Sequence, residues 1–356
     1  MHVALVIDPE RILTDRAAFT RLAVAFAGEG IRVTRIMPPA PSGHELERLV
    51  PVLTHDWDGS PLFRRARLGA LVSALEGDRP DVFVSLGARA FDAAAELAED
   101  LESALIGTFA AEHELNAAPV RRWTRHLDML CTSTGPLAVR AGRMVPPELV
   151  AVLPVGVRAP GAGAIVPPSP QSVAIAGGAR DDGAYRAIFT ALADVAPALP
   201  ELQVAIEFPP GHDPGLWRLA REMEISRFLN GVASLESVRP LALECGVFVV
   251  ADALQGTRPI VLEAMGAGRT VLAAEDPFAD YLIDGVTSIA PEARDADSWT
   301  QALTRALLDP STAAIGAEAA ARTATRFGSA RCAEQLIDAC HRAVRGPVIP
   351  FPSADT

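Results

Sequence analysis

Short apolar runs alternate with amphipathic helical segments along nearly the whole chain, and the alternation begins twice. Val3–Ile7, Ile31–Ile36, Asp81–Leu86, Ala104–Thr108, Leu127–Thr132 and Val150–Pro154 read as strands. Asp15–Gly28, Phe63–Leu75 and Ala88–Glu99 carry helical spacing between them. After a stretch rich in Pro, Gly and Ala the pattern restarts: strands at Ser172–Ala176, Gln203–Phe208, Phe228–Gly231, Gly246–Val250 and Thr270–Ala273, helices at Tyr185–Val195 and Pro214–Met223. From Asp297 to Val344 the spacing is helical throughout. Strands separated by helices form βαβ units and parallel sheets. The expectation is therefore two Rossmann-like, doubly wound α/β domains, residues 1–158 and 172–345, facing a central cleft, with a helical C-terminal stretch. Residues 159–171 serve as the hinge, and 346–356 form a tail.

The 356 residues suffice for two domains, and 49% apolar content with 21% charge suits buried cores. A net charge of −12 argues against nucleic-acid binding, which requires a basic face. No run approaches the ~20 apolar residues of a membrane span. The chain contains no lysine; all 32 basic residues are arginine, a usage that fits the base composition of a bacterial genome. That excludes a lysine Schiff base and a phosphate-binding P-loop lysine. Cys131, Cys245, Cys332 and Cys340 lack metal-ligand or disulfide-framework spacing and sit in apolar surroundings, which suggests buried thiols in a reducing cytoplasm. Val3–Ile7 runs into Asp8-Pro9-Glu10-Arg11 rather than a glycine-rich loop, which disfavours a dinucleotide enzyme.

In open α/β sheets ligands bind beyond the carboxyl ends of the strands. The segment Gln255 to Gly285 has the layout for this: a loop, a helix opening near Thr257–Pro259, a buried strand and an acidic turn. Proline is tolerated in a first turn, and the N–H groups of a helix start favour an anion such as a diphosphate. Gly256 allows close backbone approach. Glu263, one to two turns in, can take hydrogen bonds from a ribose diol. The simpler alternative is a capped helix carrying an ordinary exposed acid.

Gln255-Gly256 followed by Leu262-Glu263-Ala264-Met265-Gly266-Ala267-Gly268-Arg269-Thr270-Val271 resembles the signature of retaining GT-B glycosyltransferases of the glycosyl transferases group 1 (family 4-like), in which two glutamates are separated by seven residues. Tyr281-Leu282-Ile283-Asp284-Gly285 resembles the acidic turn that follows in that family, and Arg227-Phe228-Leu229-Asn230-Gly231 its preceding strand. In the first half, Asp128 to Ser133 and Leu153-Pro154-Val155-Gly156-Val157 are similar to further family segments. The resemblance implies a nucleotide-diphosphate sugar held mainly by the second domain. Glu263 would hold the ribose. Backbone N–H groups at Gly256, Thr257 and Arg258 would meet phosphate or sugar. Gly177 and Gly178, with Arg180, would cover the diphosphate. Gln255, Arg180 and His113 stand at the positions implied for catalysis. The sugar would pass with retention to an acceptor of unidentified class (glycan, lipid or small molecule), with neither metal nor resident cofactor.

The chain also departs from that family. Gln255 replaces the first glutamate and carries no charge to steady an oxocarbenium-like centre. The family's phosphate-binding lysine is absent, and Asp181 and Asp182 follow Arg180. Three functions stay open: sugar transfer, a non-catalytic relative acting as a binding or assembly module, or another GT-B chemistry such as epimerisation or phosphorolysis. Phe63-Arg64-Arg65-Ala66-Arg67-Leu68 joins basic and apolar residues, which suggests either a solvated helix face or peripheral docking at the inner membrane face.

Overall fold

A computed structural model of the chain describes residues 1–39, 50–57, 63–158, 169–177, 182–208 and 213–345. The chain divides into two compact units. The first comprises Met1–Ile12, Phe19–Leu153 and the segment from Ala330 onward; the second comprises Leu13–Ala18 and Pro154–Ser329.

The first unit is built on seven strands: β1 (His2–Ile7), β2 (Arg32–Met37), β3 (Val52–Thr54), β4 (Val82–Leu86), β5 (Ala104–Phe109), β6 (Met129–Thr132) and β7 (Val150–Val152). They lie in the order β3-β2-β1-β4-β5-β6-β7 with parallel pairing. Every residue of β1 and β4 is buried, as expected of strands covered on both faces. The helices are α1 (Pro9–Thr14), α2 (Arg16–Gly28), α3 (Arg64–Leu75), α4 (Ala88–Asp100), α5 (Glu112–Leu115), α6 (Ala118–Trp123) and α7 (Gly135–Ala141). The helix expected over Asp15–Gly28 is α2, and a further short helix, α1, which the sequence pattern did not indicate, precedes it across a break at Asp15.

The second unit has five strands: β8 (Ser169–Ala176), β9 (Gln203–Glu207), β10 (Leu229–Val232), β11 (Cys245–Val250) and β12 (Thr270–Ala273). Their order is β10-β9-β8-β11-β12, again with parallel pairing. Its helices are α8 (Asp182–Val195), α9 (Asp213–Glu222), α10 (Arg239–Glu244), α11 (Pro259–Gly266), α12 (Ala296–Leu308) and α13 (Ala313–Phe327). Successive strand residues feed opposite faces. Val173 and Ile175 pack with α8 residues Ile188 and Leu192, while Ala174 and Ala176 pack with α11 residues Ile260 and Leu262.

The domain boundaries differ from the expectation at both ends. Val157 is fully buried in the second unit's core and pairs with the chain at Gly328: its N–H donates to the Phe327 carbonyl at 2.8 Å, and its carbonyl accepts from the Ser329 N–H at 3.0 Å. Pro154–Arg158 therefore belongs with the second unit. Ser169–Gln171 are the start of β8, and 159–168 and the tail lie outside the described residues. The last helix, α14 (Ser329–Arg345), returns to the first unit. Its buried stripe, Leu336, Ile337, Ala339, Cys340 and Ala343, joins Val3, Leu5, Val84 and Cys131 in one core cluster. Helical spacing identifies which face of α14 is apolar; it carries no information on which sheet that face covers.

All four cysteines are buried and free, and burial raises the Cys131 and Cys340 thiols well above their ordinary range. Among the described residues no helix is long and apolar enough to cross a membrane. In α3, Arg64 pairs with Asp92 and Glu96 and Arg67 pairs with Asp56. Two of that helix's three guanidinium groups are thus engaged within the protein.

Candidate functional site

In the second unit the strand order reverses between β8 and β11, the place where open α/β sheets bind ligands. Gly177 follows β8 directly, and a Cβ there would lie 2.3 Å from the Tyr185 hydroxyl and 2.7 Å from a carboxylate oxygen of Asp252 just beyond β11. Glycine is required by that close approach. The Gly177 N–H donates to Glu207, the last residue of β9, at 3.4 Å.

Glu207 is 2% exposed and is the hub of this corner. It also accepts the Leu235 N–H at 2.7 Å and both terminal nitrogens of Arg258, each at 2.5 Å. Arg258 is the residue preceding α11, and its side chain is 15% exposed. Burial is the largest single influence and would depress its pKa, but the Glu207 charge and hydrogen bonds, with smaller help from Asp15 and Tyr185, together raise it. This fork-on-fork geometry is the strongest form of a carboxylate contact. The Arg258 guanidinium is thereby held by Glu207.

Helix α11 is buried on all sides, including Glu263 at 1% exposure. A carboxylate in that setting requires a cation, and Glu263 accepts from Nε of Arg239 in α10. The exposed-acid alternative for Glu263 is therefore excluded. A second acid, Glu236, lies 3.9 Å from the same Arg239 nitrogen. One of its oxygens accepts the Ala17 N–H at 3.3 Å; the other is buried without a hydrogen-bond partner among the described residues. Burial first, then the Glu263 charge, pushes the Glu236 carboxyl up to about 7, against the opposing pull of Arg239 and the Ala17 N–H. One guanidinium thus serves two buried acids.

The loop before α11 is fixed from several directions. Gln255 has φ +57°, the left-handed region, and its N–H donates to Asp276 at 2.6 Å. The Tyr281 hydroxyl donates to the Gly256 carbonyl at 3.1 Å. No side chain caps the first turn of α11. Thr257, beside that turn, has a buried hydroxyl with no hydrogen-bond partner among the described residues.

The structure thus brings Gly177, Gln255, Gly256, Thr257, Arg258 and Glu263 together around the β8–β11 reversal and α11. Gly178 and Arg180 lie outside the described residues. His113 is exposed on α5 in the first unit. At the corresponding edge of the first unit, the glycine-rich loop missing from the sequence is replaced by Asp8. Its carboxylate accepts from the N–H groups of Glu10 (3.0 Å) and Arg89 (2.9 Å), so one side chain satisfies the first turns of α1 and α4. Burial, partly offset by these N–H groups, raises its pKa.

This architecture is shared with solved structures. HepE from Anabaena, solved in complex with UDP-glucose, matches over 96% of this chain and 99% of its own, with TM-score 0.74 and 14% identity. Sucrose-phosphate synthase from Thermosynechococcus elongatus matches over 96% and 98%, with TM-score 0.74 and 15% identity. The chain has the GT-B fold. A putative UDP-N-acetylglucosamine 2-epimerase from Listeria monocytogenes is also similar, over 95% of each chain, with TM-score 0.67 and 12% identity. The GT-B fold therefore houses more than one chemistry. No protein-family model matches the sequence, and no curated protein matches it.

Glu207, Glu236, Arg239 and Asp276 organise the site but were not singled out from the sequence. Glu207 left a signal: an acid closing the apolar run Val204-Ala205-Ile206. Arg239 left none, because its pairing with Glu263 spans 24 positions and depends on how α10 packs on α11.

Proposed function

We propose that this chain is a glycosyltransferase-like protein that binds a nucleotide-diphosphate sugar through its second unit and passes the sugar, with retention and without a metal or resident cofactor, to an acceptor. The observation that carries this reading is the Thr257 hydroxyl, buried and unpartnered at the uncapped head of α11, where a donor's phosphate or sugar oxygen would satisfy it. Glu263, oriented by Arg239, accepts from the ribose hydroxyls. Gln255 hydrogen-bonds the sugar. The anomeric C–O bond to the diphosphate breaks with its electron pair leaving on the diphosphate oxygen, the acceptor oxygen bonds to the anomeric carbon on the same face, and the acceptor's hydroxyl proton passes to the departing diphosphate. Solved GT-B structures holding UDP or UDP-glucose support the donor class.

A second reading, a non-catalytic relative, is favoured by a specific observation. Arg258 is held by Glu207, Gln255 is neutral and the chain has no lysine, so the described residues around α11 present no unpaired cation to a leaving diphosphate. Titration calorimetry with UDP, GDP and ADP, each also as a sugar conjugate, separates the readings. The donor reading requires one diphosphate to bind and Glu263→Ala to weaken it by about 1–3 kcal/mol. Absence of binding for all six compounds would leave the non-catalytic reading. If a diphosphate binds but no sugar moves, Gln255→Glu tests whether one charge restores transfer.

A further inference from the structure

The first unit contains an arginine-lined cavity that the donor reading does not use. It measures about 330 Å³ and is bounded by Asn116, Arg121, Thr124, Arg140, Arg143 and Met144. Arg121 lies in α6 and Thr124 just after it; Arg140 is in the last turn of α7, with Arg143 and Met144 immediately beyond. Three arginines, from α6, α7 and the segment just beyond α7, therefore line one cavity in a chain whose net charge is −12.

Their charges are poorly compensated from within. Arg140 donates to the Asn116 side-chain oxygen at 3.2 Å and lies 3.8 Å from Glu112. Arg121 and Arg143 have no acidic partner among the described residues, whereas Arg64, Arg239, Arg258 and Arg326 each face a carboxylate. Like charges around one concavity repel, and an anion that enters relieves the repulsion while gaining charge-assisted hydrogen bonds. Guanidinium forks match tetrahedral phosphate oxygens bidentately. The volume is at the lower end of small-molecule sites, roughly 300–1,000 Å³, and exceeds what a bare phosphate fills. The Thr124 hydroxyl donates to the Arg121 carbonyl at 3.5 Å and keeps its oxygen to accept from a ligand, and Met144 supplies an apolar wall for the rest of it.

We propose that this cavity binds a small phosphate monoester, with Arg121 and Arg143 on the phosphate and Arg140, positioned by Asn116, completing the contact. The site stands apart from the donor reading and holds whether or not that reading does.

The test is calorimetric titration of the full chain with glucose 6-phosphate, inorganic phosphate and glucose. Glucose 6-phosphate is expected to bind more tightly than inorganic phosphate, and glucose not to bind. The Arg121→Ala/Arg143→Ala double variant should weaken glucose 6-phosphate at least tenfold with an unchanged melting temperature, because both side chains are exposed. Raising the salt from 0.05 to 0.5 M should weaken binding several-fold in the parent chain and little in the variant. Equal affinities in parent and variant, or no response to either phosphate compound, would overturn the proposal. Inorganic phosphate binding as tightly as the ester would reduce the site to a free-phosphate site and overturn the monoester assignment.

Discussion

Arg258 gives both terminal nitrogens of its guanidinium to Glu207, across 51 residues of sequence, and so ties the head of α11 to the end of β9. The fork sits at the carboxyl edge of the sheet, the edge where open α/β sheets bind ligands. Here the guanidinium shapes the protein instead.

Breaking that pair leaves a carboxylate at 2% exposure with two backbone N–H groups and no cation. Arg258→Ala is expected to lower the unfolding free energy by about 3–5 kcal/mol. Arg258→Lys keeps the charge but loses the fork, and should recover only part of the loss. Urea denaturation of the three proteins measures this; a loss below 1 kcal/mol in Arg258→Ala would show that the pair is not structural.

The fold is largely legible in the sequence. Each strand expected from an apolar run is present within a few residues, because parallel strands buried on both faces leave uninterrupted apolar runs such as Val3–Ile7 and Val247–Val250. Short β3 and the one- to two-turn helices α1, α5, α6, α7 and α10 leave no such signal, since segments of three to seven residues carry too little periodicity. The places of Glu263 on α11 and of Gly177 just beyond β8 were legible from local context. The Arg239 and Arg258 pairings were not, because each joins residues brought together only by tertiary packing.

Glu236 makes stability depend on pH. Its carboxyl titrates near 7 in the folded chain against 4.5 ordinarily, so between those values the folded state holds the extra proton. Stability from this group is therefore fully present below about pH 4.5 and is lost as pH rises through 7. The difference amounts to roughly 3 kcal/mol at most. Subtracting the stability-versus-pH curve of Glu236→Gln from that of the parent isolates the effect; a flat difference between pH 4.5 and 7.5 would refute it.

Glu263 reports on the same cluster. The Glu263→Gln variant removes the negative neighbour that helps raise Glu236 and leaves Arg239 beside Glu236. The Glu236 titration is then expected to move to lower pH, and its pH-dependent share of stability to shrink. Repeating the curves in this background checks the coupling, with an unmoved midpoint counting against it.

Gly177→Ala places a Cβ against the Tyr185 hydroxyl and Asp252. Overpacking of this kind costs about 1–3 kcal/mol. Tyr185→Phe removes the nearer contact, so the two substitutions should be non-additive, the double variant losing less than the sum of the singles. Strict additivity in thermal denaturation would mean that the corner rearranges around alanine.

The return of α14 to the first unit sets an order on biosynthesis. A ribosome releases everything that the five-stranded unit needs before the residues that close the seven-stranded core, because Leu336, Ile337 and Cys340 emerge after Ser329. The unit that begins the chain is thus the last to be complete, and it must wait with part of its apolar face uncovered while the later-encoded unit already has its full sequence.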